Sequence, residues 1–466
     1  MKWSSEQLSD RLCRHVAESR FEQLPLTSRE AACRAVLDAT GVMCAASGLS
    51  PDIRPFVEIA RAGAGGGNCS ILGFGDGVSA AMAAFANGAM AHALDFEDAF
   101  DLAPCHPNAA SIPSAIAIAQ SVAPIHGRDL VTAVAVGCDL VCRLGLSLRQ
   151  SLEQNGWYPP PILGAFGATA VVARMLRLDP LQTRDALSLA LCQATAPGEI
   201  KHSAGTVIRA VREAFPAQAA VLSGLLARGG VKGFEAPLEG KAGFFRLYAD
   251  GHFDPRDLLE NLGSYFHVDR LSFKPWPACR GTHAFIEMAR DLAAKNRIDW
   301  REIDSVKLLT APLHRMLLEP GERKRAPLNV IDAKFSIPFT VALALVHGDV
   351  SLALFSEDAL GDGDVLDLAR RVHAREQPEW GADKAATGAL EIVLRDGRVF
   401  RMHVEQALGH PDAPLSTTHL IEKFLDCCGH ANAAIESGVA REAADRILNL
   451  SQEPDSGTVF RFSTKA

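Results

Sequence analysis

Helical periodicity runs almost unbroken from Ser4 to about Phe266 and then gives way to alternating apolar and polar residues, and this break most constrains the fold. Thr27-Ser28-Arg29-Glu30 has the spacing of a capping box, with Ala32, Val36, Ala39 and Met43 following at helical intervals. Residues 79–93 are dominated by Ala and Met, which suit close helix contacts. The pattern continues over 129–146, 164–176 and 182–196, with Asp179-Pro180 as a helix start. A further helix over 214–228 is closed by Gly229-Gly230. Beyond Tyr265, residues 305–310 and 389–394 read as strands, and Asp396-Gly397 turns the second into a third over 399–404. Helices are expected between them at 283–295, 336–347 and 365–373. Residues 417–451 are helical again and are expected to pack back on the first part. The expectation is a mainly α chain carrying a compact α+β domain.

Hydrophobic residues make up 48% of the chain, which excludes disorder as its main theme. With 47 basic against 55 acidic side chains there is no electrostatic footprint for nucleic acid, and three Tyr offer little for base stacking. The N-terminal residues mix charged and apolar types without the apolar core of an export signal. The stretches 112–123 and 163–173 contain Pro or Gly and are too short to span a bilayer, so no membrane association is expected and the cytoplasm is the default location. Eleven cysteines, an odd number without a CxxC pair, argue against a disulfide framework. Cys138 and Cys142 lie i,i+4 and read as small buried side chains rather than metal ligands, and Cys427-Cys428 reads the same way.

Several motifs can be set aside. The run Gly63-Ala64-Gly65-Gly66-Gly67 follows a helix rather than a strand and lacks GxGxxG spacing, so a turn is expected, not a dinucleotide loop. Asp362-Gly363-Asp364 is too short for a calcium loop and reads as a helix start. Other segments carry chemistry. In Ala91-His92-Ala93-Leu94-Asp95-Phe96-Glu97-Asp98, three carboxylates and a His gather at the end of a helix, with His92 and Asp95 at i,i+3. Acidic groups there oppose the helix dipole, so local stability does not explain them. With the following Pro104-Cys105-His106-Pro107, they nominate Asp95 and His106 for acid/base work, although a solvated acidic loop has the same composition. Tyr158, in Gly156-Trp157-Tyr158-Pro159-Pro160, is a candidate proton donor or an ordinary core aromatic. Arg209 and Arg212 are spaced to clamp a carboxylate or to form a surface pair. Lys274, Cys279, Arg280 and His283 share a proline-stiffened loop at the domain boundary, either as part of a site or as a rigid linker.

Taken in order, AHALDFEDAF with HPNAA, GWYPPPILGAFGATA, HSAGTVIRAVREAF, FKPWPACRGTHAFIEMA and DAKFSIPFTVALAL resemble the MmgE/PrpD family over nearly the whole chain. Its members include 2-methylcitrate dehydratases, cis-aconitate decarboxylases and iminodisuccinate epimerases. The resemblance implies a large all-helical domain (1–266 and 410–466) and a smaller α+β lid domain (267–409). It further implies a homodimer, no metal or organic cofactor, and a pocket between the domains lined by Asp95, His106, Arg209 and Lys274. This chain departs from the family pattern at Ala99, where Thr or Ser is common, at Tyr158, where His occurs, and at Arg212, which replaces the His of a Lys-x-x-His pair. Cys279 stands where the decarboxylases have His.

The expected activity is a cofactor-independent lyase, a hydro-lyase in the first instance, acting on a small di- or tricarboxylate. Epimerisation of an amino- or imino-dicarboxylate, decarboxylation, and a catalytically decayed carboxylate-binding homologue are the alternatives. Negative charge passing onto carboxylate oxygens would be stabilised by Arg209, Arg212 and Lys274. His106 would move the proton, Asp95 would orient or tune it, and Tyr158 would donate to the reacting group. Cys279, Arg280 and His283 would join Arg209 and Arg212 in binding substrate.

Overall fold

The computed structural model describes residues 7–63, 66–122, 124–203, 206–381 and 384–462. The start of the first expected helical stretch, at Ser4, lies outside them, as do Ala64 and Gly65 of the glycine run, Ala123 and Gly205. The chain divides into two compact units, the first comprising Met1–Ala93, Ala103–Leu271 and Ser416–Ala466, the second Leu94–Leu102 and Ser272–Leu415. The result is a mainly α protein with a smaller α+β unit.

The first unit is a stack of long helices, Leu26–Leu49, Ala80–Ala93, Pro107–Ser121, Gly127–Ser147, Pro159–Met175 and Ala214–Arg228. Their small side chains allow close crossings. A Cβ on Gly137 would lie 2.7 Å from the carbonyl oxygen of Gly167, so two helix backbones nearly touch where glycine removes the obstacle. The C-terminal helices Thr417–Gly429 and Ser437–Leu448 pack on Leu26–Leu49, as the returning periodicity suggested. Leu26–Leu49 and Gly127–Ser147 are long and apolar enough to cross a membrane, a property the sequence reading passed over. Their apolar windows are 83% and 94% buried among the other helices, which marks them as core helices.

Two local expectations for this unit are corrected. The helix expected to open at Thr27 begins at Leu26 behind Pro25 without a side-chain cap, and the Thr27 hydroxyl donates to Asp269 Oδ2 at 2.9 Å instead. Helical structure is also interrupted by a short antiparallel hairpin, β1 (Cys69–Ile71) and β2 (Gly75–Val78). Gly73, Gly75 and Gly77 have φ of +77°, +100° and +112°, values that a helix forbids and glycine permits. Asp179-Pro180 opens a helix as expected, with a full capping box from Asp179 to Gln182, but that helix stops at Leu191.

The second unit is built on a four-stranded sheet of order β4-β3-β5-β6, with β3 at Ile303–Thr310, β4 at Val372–Glu376, β5 at Gly388–Leu394 and β6 at Val399–Val404. β5 and β6 form the expected hairpin, with Gly397 at φ +87°. Alternate residues of β5 are buried, so one face of the sheet meets the helices His283–Asn296, Ile337–His347 and Gly363–Arg370. The expected 365–373 helix is corrected here, since it ends at Arg370 and Val372 and His373 enter β4, parallel to β3. Residues Leu94–Leu102 belong to this unit through a two-bond bridge. Ala99 N donates to Ser272 O at 2.9 Å and Ser272 N to Ala99 O at 2.8 Å.

Candidate active-site groups

Five of the nominated residues lie in the second unit. Asp95 follows the end of the Ala80–Ala93 helix and takes a left-handed backbone, φ +50°. The expected helical i,i+3 relation to His92 is therefore corrected: the helix ends two residues before Asp95. Such a conformation costs a non-glycine residue energy and persists only where its surroundings over-determine it. The surroundings here are two buried lysines. Lys274 Nζ donates to Asp95 Oδ1 at 2.5 Å and to its carbonyl at 3.0 Å, and Lys334 Nζ donates to the Leu94 carbonyl at 2.6 Å. Lys274 is 0% and Asp95 1% exposed. Burial works against the Lys274 ammonium, but Asp95 and Glu97 outweigh it and hold its pKa above the ordinary value. Lys274 therefore stays charged at neutral pH.

The remaining loop residues are tightly held. Arg280 donates to Asp101 at 3.2 Å and to the carbonyls of Leu408 and Ala407 at 3.0 and 3.1 Å, so its guanidinium pins the 407–408 segment. His283 is fully buried, with Nε2 3.0 Å from the Ala278 carbonyl and its ring edge-on to Trp276. Burial, with the nearby cations Arg280 and Lys274, pushes its pKa well below the usual imidazole value, so it is neutral. Cys279 is half-buried, and its backbone N–H donates to the Lys334 carbonyl at 3.0 Å.

The first unit holds the other four. His106 stands immediately before the Pro107–Ser121 helix, half-buried, with its ring tilted against that of His92 at 4.9 Å between centroids. Tyr158 precedes Pro159–Met175, and the three prolines 159–161 fit the first turn of that helix, where the N–H groups have no intrahelical partner. Its N–H donates to the Ala196 carbonyl at 2.8 Å, which fixes the residue against the 194–197 segment. The Arg212 guanidinium lies 5.1 Å over the Tyr158 ring. Arg212 also donates to the Arg209 carbonyl at 2.5 Å and pairs with Glu213 at 3.1 Å, with both side chains buried. Arg212 thus lies against the Tyr158 ring and the Arg209 backbone.

Lys334, Glu213 and Asp101 are partners that the sequence did not single out. Lys334 and Glu213 lay inside stretches noted for other residues, and nothing short of the tertiary contacts marks them. The cysteine readings hold. Cys138 and Cys142 are buried on the Gly127–Ser147 helix, and burial with the neighbouring thiols of Cys105 and Cys138 raises the Cys142 pKa well above its ordinary value. Cys427 and Cys428 are buried as well, and burial raises the pKa of Cys427.

The family model described as MmgE/PrpD N-terminal domain matches residues 10–256, and the MmgE/PrpD C-terminal domain matches 276–449. A cis-aconitate decarboxylase of Aspergillus terreus is 26% identical over 96% of this chain and 94% of its own length. The human cis-aconitate decarboxylase is 26% identical over 73% of this chain and 71% of its own. A 2-methylcitrate dehydratase of Escherichia coli K12 is 25% identical over 71% of each.

Proposed function

The chain belongs to the MmgE/PrpD family, a family of lyase-type enzymes, and on that premise we propose that it is a cofactor-independent hydro-lyase for a small di- or tricarboxylate. The observation that carries the reading is the fully buried ammonium of Lys274, held charged against Asp95. A buried charge is costly for stability alone, and perturbed, paired groups of this kind concentrate where chemistry is done.

In this reading His106 removes a proton from the carbon beside a substrate carboxylate. The electron pair moves onto the carboxylate oxygens, giving an enediolate-like state whose charge is met by Arg209, Arg212 and Lys274. The pair then returns to form the carbon–carbon double bond as the hydroxyl on the neighbouring carbon leaves. Tyr158 gives that hydroxyl its proton, so water departs. Asp95 keeps Lys274 charged and placed, and Cys279, Arg280 and His283 complete the substrate-binding set. Cations do the work that a metal would otherwise do, so the scheme calls for no cofactor. Decarboxylation is the second reading, favoured by the relatives of that name that match nearly end to end. It uses the same cations, with loss of CO₂ replacing loss of a proton.

Three further parts of the reading have their own support. A homodimer is proposed because Leu222, Leu226, Val231 and Phe234 form an exposed apolar run at and beyond the end of Ala214–Arg228. A cytoplasmic location is proposed because all eleven cysteines are free thiols, which suits a reducing compartment. A functional partition at 266 and 409 is proposed because one family model ends at 256 and the other begins at 276, and the second compact unit includes Ser272–Leu415.

The test is incubation with citrate, 2-methylcitrate, cis-aconitate and iminodisuccinate in heavy water, followed by proton NMR. Appearance of an alkene from a hydroxy acid supports the hydro-lyase reading. CO₂ loss from cis-aconitate selects the second reading, and inversion without net product selects an epimerase. Tight binding with no reaction would leave only a carboxylate-binding homologue.

A further inference from the structure

A cavity of about 500 Å³ opens within the first unit, among the start of Pro159–Met175, the 193–200 segment and the first turns of Ala214–Arg228. Pro161, Ala196, Ile200, Ile208, Phe215 and Ala219 give it a largely apolar wall. Arg212 also lines it, and the same guanidinium covers the Tyr158 ring. The cavity therefore reaches Arg212, one of the groups assigned above to the substrate's carboxylates. Among its polar wall groups, Gln193 Nε2 donates to Leu189 O and Ser223 Oγ, each at 3.0 Å, and Ser203 Oγ donates to Glu199 Oε1 at 2.7 Å. The volume lies in the ~300–1,000 Å³ range of pockets for drug-sized ligands, and apart from Arg212 the wall offers a carboxylate no cation.

We propose that this cavity receives an aliphatic chain of several carbons, longer than a methyl group, so that the substrate is a long-chain alkyl- or acyl-substituted di- or tricarboxylate with its carboxylate head at Arg212 and its chain against Ile200, Ile208 and Ala219. The inference rests on the reading of Arg209 and Arg212 as carboxylate-binding groups. Burying one methylene in such a wall raises affinity by about fourfold.

The experiment is calorimetric titration of the full chain with succinate, butylsuccinate, hexylsuccinate and octylsuccinate, none of which needs turnover to be read. Dissociation constants are expected to fall by about fourfold per methylene until the cavity is filled. Ala219→Trp, on the wall, and Thr195→Trp, an exposed lining position, are each expected to remove the gain from chain length while leaving succinate binding unchanged. Thr195→Trp carries the test alone if Ala219→Trp does not fold. Affinity that stays flat or falls with chain length overturns the inference, as does a gain that survives in every folded variant. If short polycarboxylates bind or react and the chain adds nothing, only this inference falls. If no carboxylate binds and none reacts, the hydro-lyase reading falls with it.

Discussion

Lys274 Nζ sits 2.5 Å from Asp95 Oδ1 with both side chains removed from solvent, and it also bonds the Asp95 carbonyl at 3.0 Å. One ammonium thus fixes both the carboxylate and the left-handed turn that carries it. Removing one member of a buried pair strands the other charge, at a cost of about 3–5 kcal/mol. Lys274→Met is therefore expected to lower stability by that amount in urea unfolding. The double variant Lys274→Met/Asp95→Asn should recover part of the loss, because no charge is left unpaired. A single variant within about 1 kcal/mol of wild type would contradict the assignment.

Tyr158→Phe separates the phenol from the ring. The ring beneath Arg212 is retained, so the fold should hold, while loss of the proton donor should lower kcat by about 10²-fold or more. Steady-state kinetics with unchanged circular dichroism would check this.

Gly137→Ala tests the helix crossing. Alanine is the better helix former by about 1 kcal/mol, yet its Cβ would lie 2.7 Å from the Gly167 carbonyl oxygen, which is backbone and cannot turn away. A net loss of about 1–3 kcal/mol is expected in thermal or urea unfolding.

The sequence spoke where a signal is local. Asp179-Pro180 announces its helix start, Asp396-Gly397 its hairpin, and residues 389–394 a half-buried strand. It was silent where the signal is tertiary. Val372–Glu376 has little alternation and becomes a strand by pairing parallel to β3, directly after a helix whose period runs into it. The Cys69–Val78 hairpin rests on Gly73, Gly75 and Gly77, whose short strands carry no alternation long enough to mark them. Asp95 looked like the next turn of a helix, and only Lys274 and Lys334 show why it is not. The motifs nominate Tyr158, Arg209 and Arg212 by residue type and spacing, whereas Lys334 and Glu213 acquire meaning only through their contacts.

Acid sensitivity follows from two imidazoles of the first unit. Burial, with Arg143 nearby, lowers the pKa of both His15 and His267 to about 4. In the unfolded chain they protonate near 6.5. Between those values the unfolded state binds up to about two more protons, so stability falls as pH drops from about 6.5 toward 4 and this contribution is then lost. Buried His283, also shifted down, acts in the same direction. Urea midpoints at several pH values should show the decline, and a His15→Gln/His267→Gln variant should flatten it.

The central claim is that an imidazole at residue 106 moves a proton beside a substrate carboxylate. The most direct measurement is incorporation of solvent deuterium at that carbon, followed by NMR for wild type and for His106→Gln with a polycarboxylate that the protein binds. Wild type is expected to incorporate deuterium, and the variant to bind the same ligand with exchange reduced by about 10²- to 10⁴-fold. Undiminished exchange in a folded His106→Gln variant would contradict the account.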